Sequence, residues 1–127
     1  MILVVDNDPA FLGRANAFFT SSNEQVLCAR GTDRALELVK DIGSEFEVVL
    51  VDLDLDDGNG FDLIPKIRKL DANLPVIAMS GVFSRATLES SKMFGAQEVL
   101  HKPISDEWSV MINRLRRRLN TSSKLGV

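Results

Sequence analysis

Two periods of apolar and polar residues alternate along this chain. Short apolar runs at residues 2–5, 25–29, 48–51, 76–80 and 98–101 read as strands covered on both faces. Between them the apolar positions recur at helical spacing. Phe11, Leu12, Ala15, Phe18 and Phe19 follow Asp8-Pro9, an N-cap with a proline at the first helical position. Thr32 is the expected cap of a second helix, with Ala35, Leu36, Leu38 and Val39 inward and Gly43 at its end. Residues 54–60 read as a loop and 61–70 as a third helix, where Pro65 demands a late start or a kink. Residues 85–94 predict a fourth helix with the weakest apolar stripe. Ser105 opens a fifth, with Trp108, Met111, Ile112, Leu115 and Leu119 on one side; from Asn120 the chain is polar and reads as a tail. Five strands alternating with five helices predict an α/β fold, a parallel sheet joined by right-handed crossovers.

Composition narrows the class. The 127 residues are enough for one domain, 45% hydrophobic and 26% charged. A net charge of −3 gives no average preference for nucleic acid or an anionic membrane. No apolar stretch approaches the ~20 residues of a membrane span. Met1 runs straight into a strand, leaving no signal peptide, and the lone Cys28 cannot form an internal disulfide, so a cytoplasmic setting is expected.

Candidate chemistry gathers at the strand ends. The first strand ends in Asp6, the third in Asp52, the fourth in Ser80, and the fifth in Lys102-Pro103. In an open parallel sheet the carboxyl ends are where ligands bind. Two carboxylates, a hydroxyl and an ammonium are the parts needed to hold a phosphoryl group and a hard cation. Each has a bland alternative. Asp52 could be a loop acid, Ser80 a turn cap, and Lys102 a surface lysine. His101 alternates away from Lys102, and Trp108 reads as core or interface. Arg114, Arg116, Arg117 and Arg118 read as a solvated face suited to a helix end. A calcium-loop reading of residues 52–63 fails, because the turn glycine is displaced to Gly58 and Leu63 stands where a glutamate is needed.

The fragments Val4-Val5-Asp6-Asn7-Asp8-Pro9, Val51-Asp52-Leu53-Asp54-Leu55, Gly58-Asn59-Gly60-Phe61, Ser80-Gly81, Gly95-Ala96 and Lys102-Pro103 together resemble a response-regulator receiver domain, the phospho-acceptor module of two-component signalling. The resemblance implies a CheY-like, flavodoxin-like doubly wound sheet of order 2-1-3-4-5, with the domain over residues 1–120 and 121–127 as tail or linker stump. It implies that Asp52 is phosphorylated by a sensor histidine kinase or phosphotransfer protein. Mg2+ would be held by Asp6, Asn7, Asp52 and the backbone carbonyl of Asp54. Lys102 and Ser80 would contact the phosphoryl group, and Gly81 would leave the approach open. The readout would be a downstream protein or fused output domain, with a possible homodimer through the fourth helix, fifth strand and fifth helix. No nucleic acid or membrane is implied for this domain, nor enzyme activity beyond its own phosphorylation and dephosphorylation.

The chain departs from the family pattern. Asn7 stands where a second metal-contacting acid is usual, which predicts weaker Mg2+ binding, and the structural cap Asp8 is its nearest substitute. Val99 replaces a common aromatic switch residue, so readout would pass through Ser80 and the loop after it. Two other readings stay open. One is a degenerate receiver that serves as an unphosphorylated docking module. The other is a haloacid-dehalogenase-like phosphatase, which would need Asp52-Leu53-Asp54 on its first strand.

Overall fold

A computed structural model of the protein describes residues 1–56 and 59–116. The elements are β1 (Ile2–Val5), α1 (Pro9–Thr20), β2 (Val26–Ala29), α2 (Thr32–Ile42), β3 (Val48–Asp52), α3 (Gly60–Leu70), β4 (Val76–Ser80), α4 (Arg85–Glu89), β5 (Glu98–His101) and α5 (Asp106–Leu115). The five parallel strands lie in the order β2-β1-β3-β4-β5, as expected for a CheY-like flavodoxin fold. Val5 pairs with Val51, and Ser80 pairs with His101. That register aligns the ends of β1, β3, β4 and β5 on one rim.

Strand alternation feeds two cores. Leu3, Val5, Val49, Val51 and Ala78 face α2 and α3, packing on Ala35, Val39, Leu63, Ile64 and Ile67. Ile2, Val4, Val48, Leu50, Ile77 and Met79 face α1 and α5, packing on Phe11, Ala15, Phe19, Trp108 and Ile112. Every residue of β1, β3 and β4 is buried, so both faces of the sheet gain from apolar burial. This explains the continuous apolar runs. The edge strand β2 is only partly covered, and Cys28 on it is exposed.

Local expectations hold in part. Asp8 caps α1, its carboxylate accepting from the Ala10 N–H at 3.0 Å. Thr32 does not cap α2. Gly31 takes the cap position without a side-chain bond, and Thr32 is buried as the first helical residue. Gly43 ends α2 in a right-handed conformation and starts a short 3-10 turn, Gly43–Glu45. α3 begins at Gly60 under an Asn59 cap and runs through Pro65. The predicted fourth helix is two pieces, α4 and a 3-10 segment Ser90–Phe94, which Gly95 closes at φ +117°. A positive φ of that kind suits glycine. Gly58, Arg117, Arg118, Leu119 and the predicted tail lie outside the described residues.

Candidate functional site

The rim at the carboxyl ends of the strands brings three of the expected side chains into contact. Asp6 leaves β1, Asp52 ends β3, and Lys102 follows β5. Asp6 is fully buried and Asp52 is 4% exposed. The Lys102 Nζ lies 2.6 Å from Asp6 Oδ2 and 3.3 Å from Asp52 Oδ2. These residues are 96 and 50 positions away from Lys102 in sequence, and the sheet order alone makes them neighbours. The remaining carboxylate oxygens hold backbone. Asp6 Oδ1 accepts the Asp8 N–H at 2.9 Å, and Asp52 Oδ1 accepts the Asp54 N–H at 3.2 Å.

Electrostatics follow from this crowding. Burial first, and then repulsion from Asp6, push the Asp52 carboxyl up to about 6 from an ordinary 3.8, against the pull of Lys102. One ammonium serves two buried carboxylates, so the rim keeps an excess of negative charge.

Ser80 is fully buried at the end of β4. Its hydroxyl oxygen accepts the N–H groups of Val82 at 3.1 Å and Phe83 at 3.0 Å. It therefore organises the loop before α4. Gly81 lies against the Lys102 stem: a Cβ built on it would stand 3.4 Å from Lys102 Cβ, in ordinary van der Waals contact. Asn7 is half-buried on the loop after β1, and Asp54 is exposed after β3. Asp8 is committed to its cap. Among the described residues no group of three or more His, Cys, Asp or Glu side chains is placed to hold a metal ion. Gly60 packs α3 onto the site: a Cβ there would fall 2.4 Å from the Asp52 carbonyl oxygen.

Sequence reasoning missed one participant in the site and misread one arginine far from it. Phe11, read as an inward helix residue, lies under the site with its ring centroid 4.1 Å from Lys102 Nζ. Arg116, read as part of a solvated face, is instead half-buried and ion-paired with Glu24 and Glu47 at the opposite rim. Its separation from both glutamates in sequence left no local signal. Arg114 is exposed beside Glu98. Trp108 is core, and its indole N–H donates to the His101 carbonyl at 3.2 Å. Val99 is buried in the α2–α3 core. Among the described residues no helix is long and apolar enough to cross a membrane.

Comparison with known proteins agrees with this arrangement. The response regulator receiver domain family matches residues 2–114. The DNA-binding transcriptional regulator NtrC of Bradyrhizobium sp. (strain RP501 Parasponia) is 36% identical over 103 residues, covering 80% of this chain and 21% of that protein. A CheY-like response regulator receiver domain protein from Methanospirillum hungatei JF-1 superposes with a TM-score of 0.79 at 26% identity, covering 90% of this chain and 91% of that one. A response regulator from Burkholderia pseudomallei, solved with a phosphorylated aspartic acid, calcium ion and citrate, gives a TM-score of 0.77 at 26% identity, covering 98% and 70%. The chain spans between 19% and 35% of the length of the curated relatives first matched. By the extent of the family match and the shared fold, the chain belongs to the receiver domains of two-component response regulators.

Proposed function

We propose that Asp52 accepts a phosphoryl group from a sensor histidine kinase or phosphotransfer protein and that the domain relays the change to a partner or fused output domain. The observation carrying this reading is the buried Asp6–Asp52 pair sharing the Lys102 ammonium. The similar Burkholderia protein, with its phosphorylated aspartic acid, supports it.

The donor set fits Mg2+. This ion is commonly held by one or two carboxylates together with substrate phosphate, and the site offers two carboxylates with uncompensated charge. Asp6, Asp52, the Asn7 amide oxygen and the Asp54 backbone carbonyl would hold it. When bound, it would neutralise the carboxylates and the phosphoryl oxygens.

The protein's own groups do the rest. An Asp52 carboxylate oxygen attacks phosphorus in line. The new P–O bond makes an acyl phosphate, and the P–N bond to the donor imidazole breaks, its electron pair leaving with the ring. Such transfer depends mainly on positioning and charge stabilisation. Lys102 moves one N–H to a phosphoryl oxygen. Ser80 accepts two loop amides and keeps its O–H to donate to another oxygen. That donation draws on the loop carrying Val82 and Phe83, so α4 is the element that responds. The switch is local charge biasing a mobile element. The domain extends over residues 1–120, works in the cytoplasm, and uses the α4–β5–α5 face for pairing. It is a switch and turns over only its own phosphoryl group.

Incubating the protein with acetyl phosphate and Mg2+ should give an intact mass increased by one phosphoryl group, absent in Asp52→Asn and without added Mg2+. An unmodified wild type would instead favour the docking-module reading, to which Asn7 lends some weight. Steady turnover of a phosphate ester would favour the phosphatase reading, although Asp52-Leu53-Asp54 begins at the end of the third strand.

A further inference from the structure

We propose that Phe11 is a positioning residue for Lys102: its ring face holds the ammonium inside the site while that ammonium exchanges Asp6 for a phosphoryl oxygen on Asp52. The inference rests on the phospho-acceptor reading and adds a residue to it. The Lys102 Nζ sits 4.1 Å from the Phe11 centroid, well within the ~6 Å range of cation–π attraction. The ring is 2% exposed, and the lysine side chain above it is 20% exposed, so the pair is only partly screened by water.

An ammonium has three N–H groups. Here one faces Asp6 at 2.6 Å, one faces Asp52 at 3.3 Å, and the aromatic face occupies a third side. A hydrogen bond to a carboxylate is directional and is lost when the ammonium swings. Attraction to a ring face is broad and survives a shift across it. An aliphatic side chain would fill the same volume without attracting the cation. The ring is itself fixed. Phe11 packs on Trp108, with centroids 6.0 Å apart at 50°, and Trp108 donates to the carbonyl of His101, the residue before Lys102. A closed path thus runs from α1 through α5 to the end of β5 and back to the lysine. The Arg14 guanidinium also lies near this ring, at 5.9 Å, the outer limit of the interaction.

The test replaces Phe11 with phenylalanines carrying one, three and five ring fluorines, which drain the face of electron density while nearly preserving shape. In metal-free wild type, the Lys102 methylene protons next to Nζ should resonate upfield, shielded by the ring. The shift should shrink along the series and vanish in Phe11→Leu. With acetyl phosphate and Mg2+, the rate of Asp52 phosphorylation should fall stepwise, by about two- to thirty-fold in total. In that step the P–O bond of acetyl phosphate breaks and acetate leaves. Arg14→Gln should leave the lysine shift in place. The proposal is overturned if rate and shift stay constant across the series, or if the losses merely track each variant's melting temperature. It is also overturned if only Arg14→Gln moves the lysine signal. If wild type takes no phosphoryl group, the phospho-acceptor reading fails and partner exchange with it. The proton shift then still reports whether ring and ammonium meet.

Discussion

At the scale of single residues, Asp52 is held in an environment unfavourable to its charge. Its carboxyl titrates near 6 because burial and Asp6 together outweigh Lys102. A folded-state pKa above the unfolded value means that the native state binds the proton more tightly. The corresponding stability is fully present below about 3.8 and is lost as pH rises through about 6. Asp52→Asn removes that loss but also the 3.3 Å contact to Lys102. The metal-free variant should therefore exceed wild type in stability at pH 7 by about 1–3 kcal/mol, with the gap opening between pH 4 and 6. Urea unfolding across that range checks this, and a gap independent of pH would refute it. Asp52 and Lys102 were legible in the sequence because each follows or ends a strand. Phe11 was legible only as an apolar helix position, since nothing local distinguishes a ring under a cation from a ring in a core.

At the scale of elements, capping and burial decided what periodicity left open. The helical stripe over residues 85–94 is too weak to hold one regular helix, and the chain settles into α4 and a 3-10 segment. Thr32 suited a cap, yet burial of its side chain moved that role to Gly31. α3 runs through Pro65, and both its ends are fixed. Asn59 accepts the Asp62 N–H at its start. At its end, the Arg68 guanidinium donates to the Gly95 carbonyl at 2.8 and 3.1 Å and to the carbonyls of Ala72 and Leu74. This fork ties α3 to the turn entering β5. Arg68→Lys keeps the charge but cannot reach several carbonyls at once. It should cost about 1–3 kcal/mol in denaturant unfolding and speed amide exchange at Gly95 and Gln97. Unchanged stability would remove Arg68 from this role.

At the scale of the whole molecule, two apolar layers clamp a sheet whose candidate rim is short of positive charge. Lys102 cannot compensate both carboxylates, so a divalent cation that binds only the folded state should stabilise it by mass action. The melting temperature should rise with Mg2+ and return when chelator is added. The rise should be larger in Asn7→Asp, whose added carboxylate supplies charge to the ion, and smaller in Asp52→Asn. Scanning calorimetry at several Mg2+ concentrations decides this. Equal responses in all three proteins would place the ion elsewhere. At the opposite rim, Arg116 bridges Glu24 and Glu47, joining the end of α5 to the turns before β2 and β3.

The alternation of strand and helix, the parallel sheet and the acids at its strand ends were determined by sequence alone. Hydrophobic period and caps act between near neighbours, so the chain carries them openly. Strand order entered through family resemblance, because periodicity does not say which strands pair. Only the tertiary structure decided that Lys102 reaches Asp6 before Asp52, that Ser80 turns its oxygen toward Val82 and Phe83, and that Phe11 lies beneath the ammonium. Those facts depend on register between crossovers and on side-chain torsions within a packed interior. No local pattern of residues encodes either one.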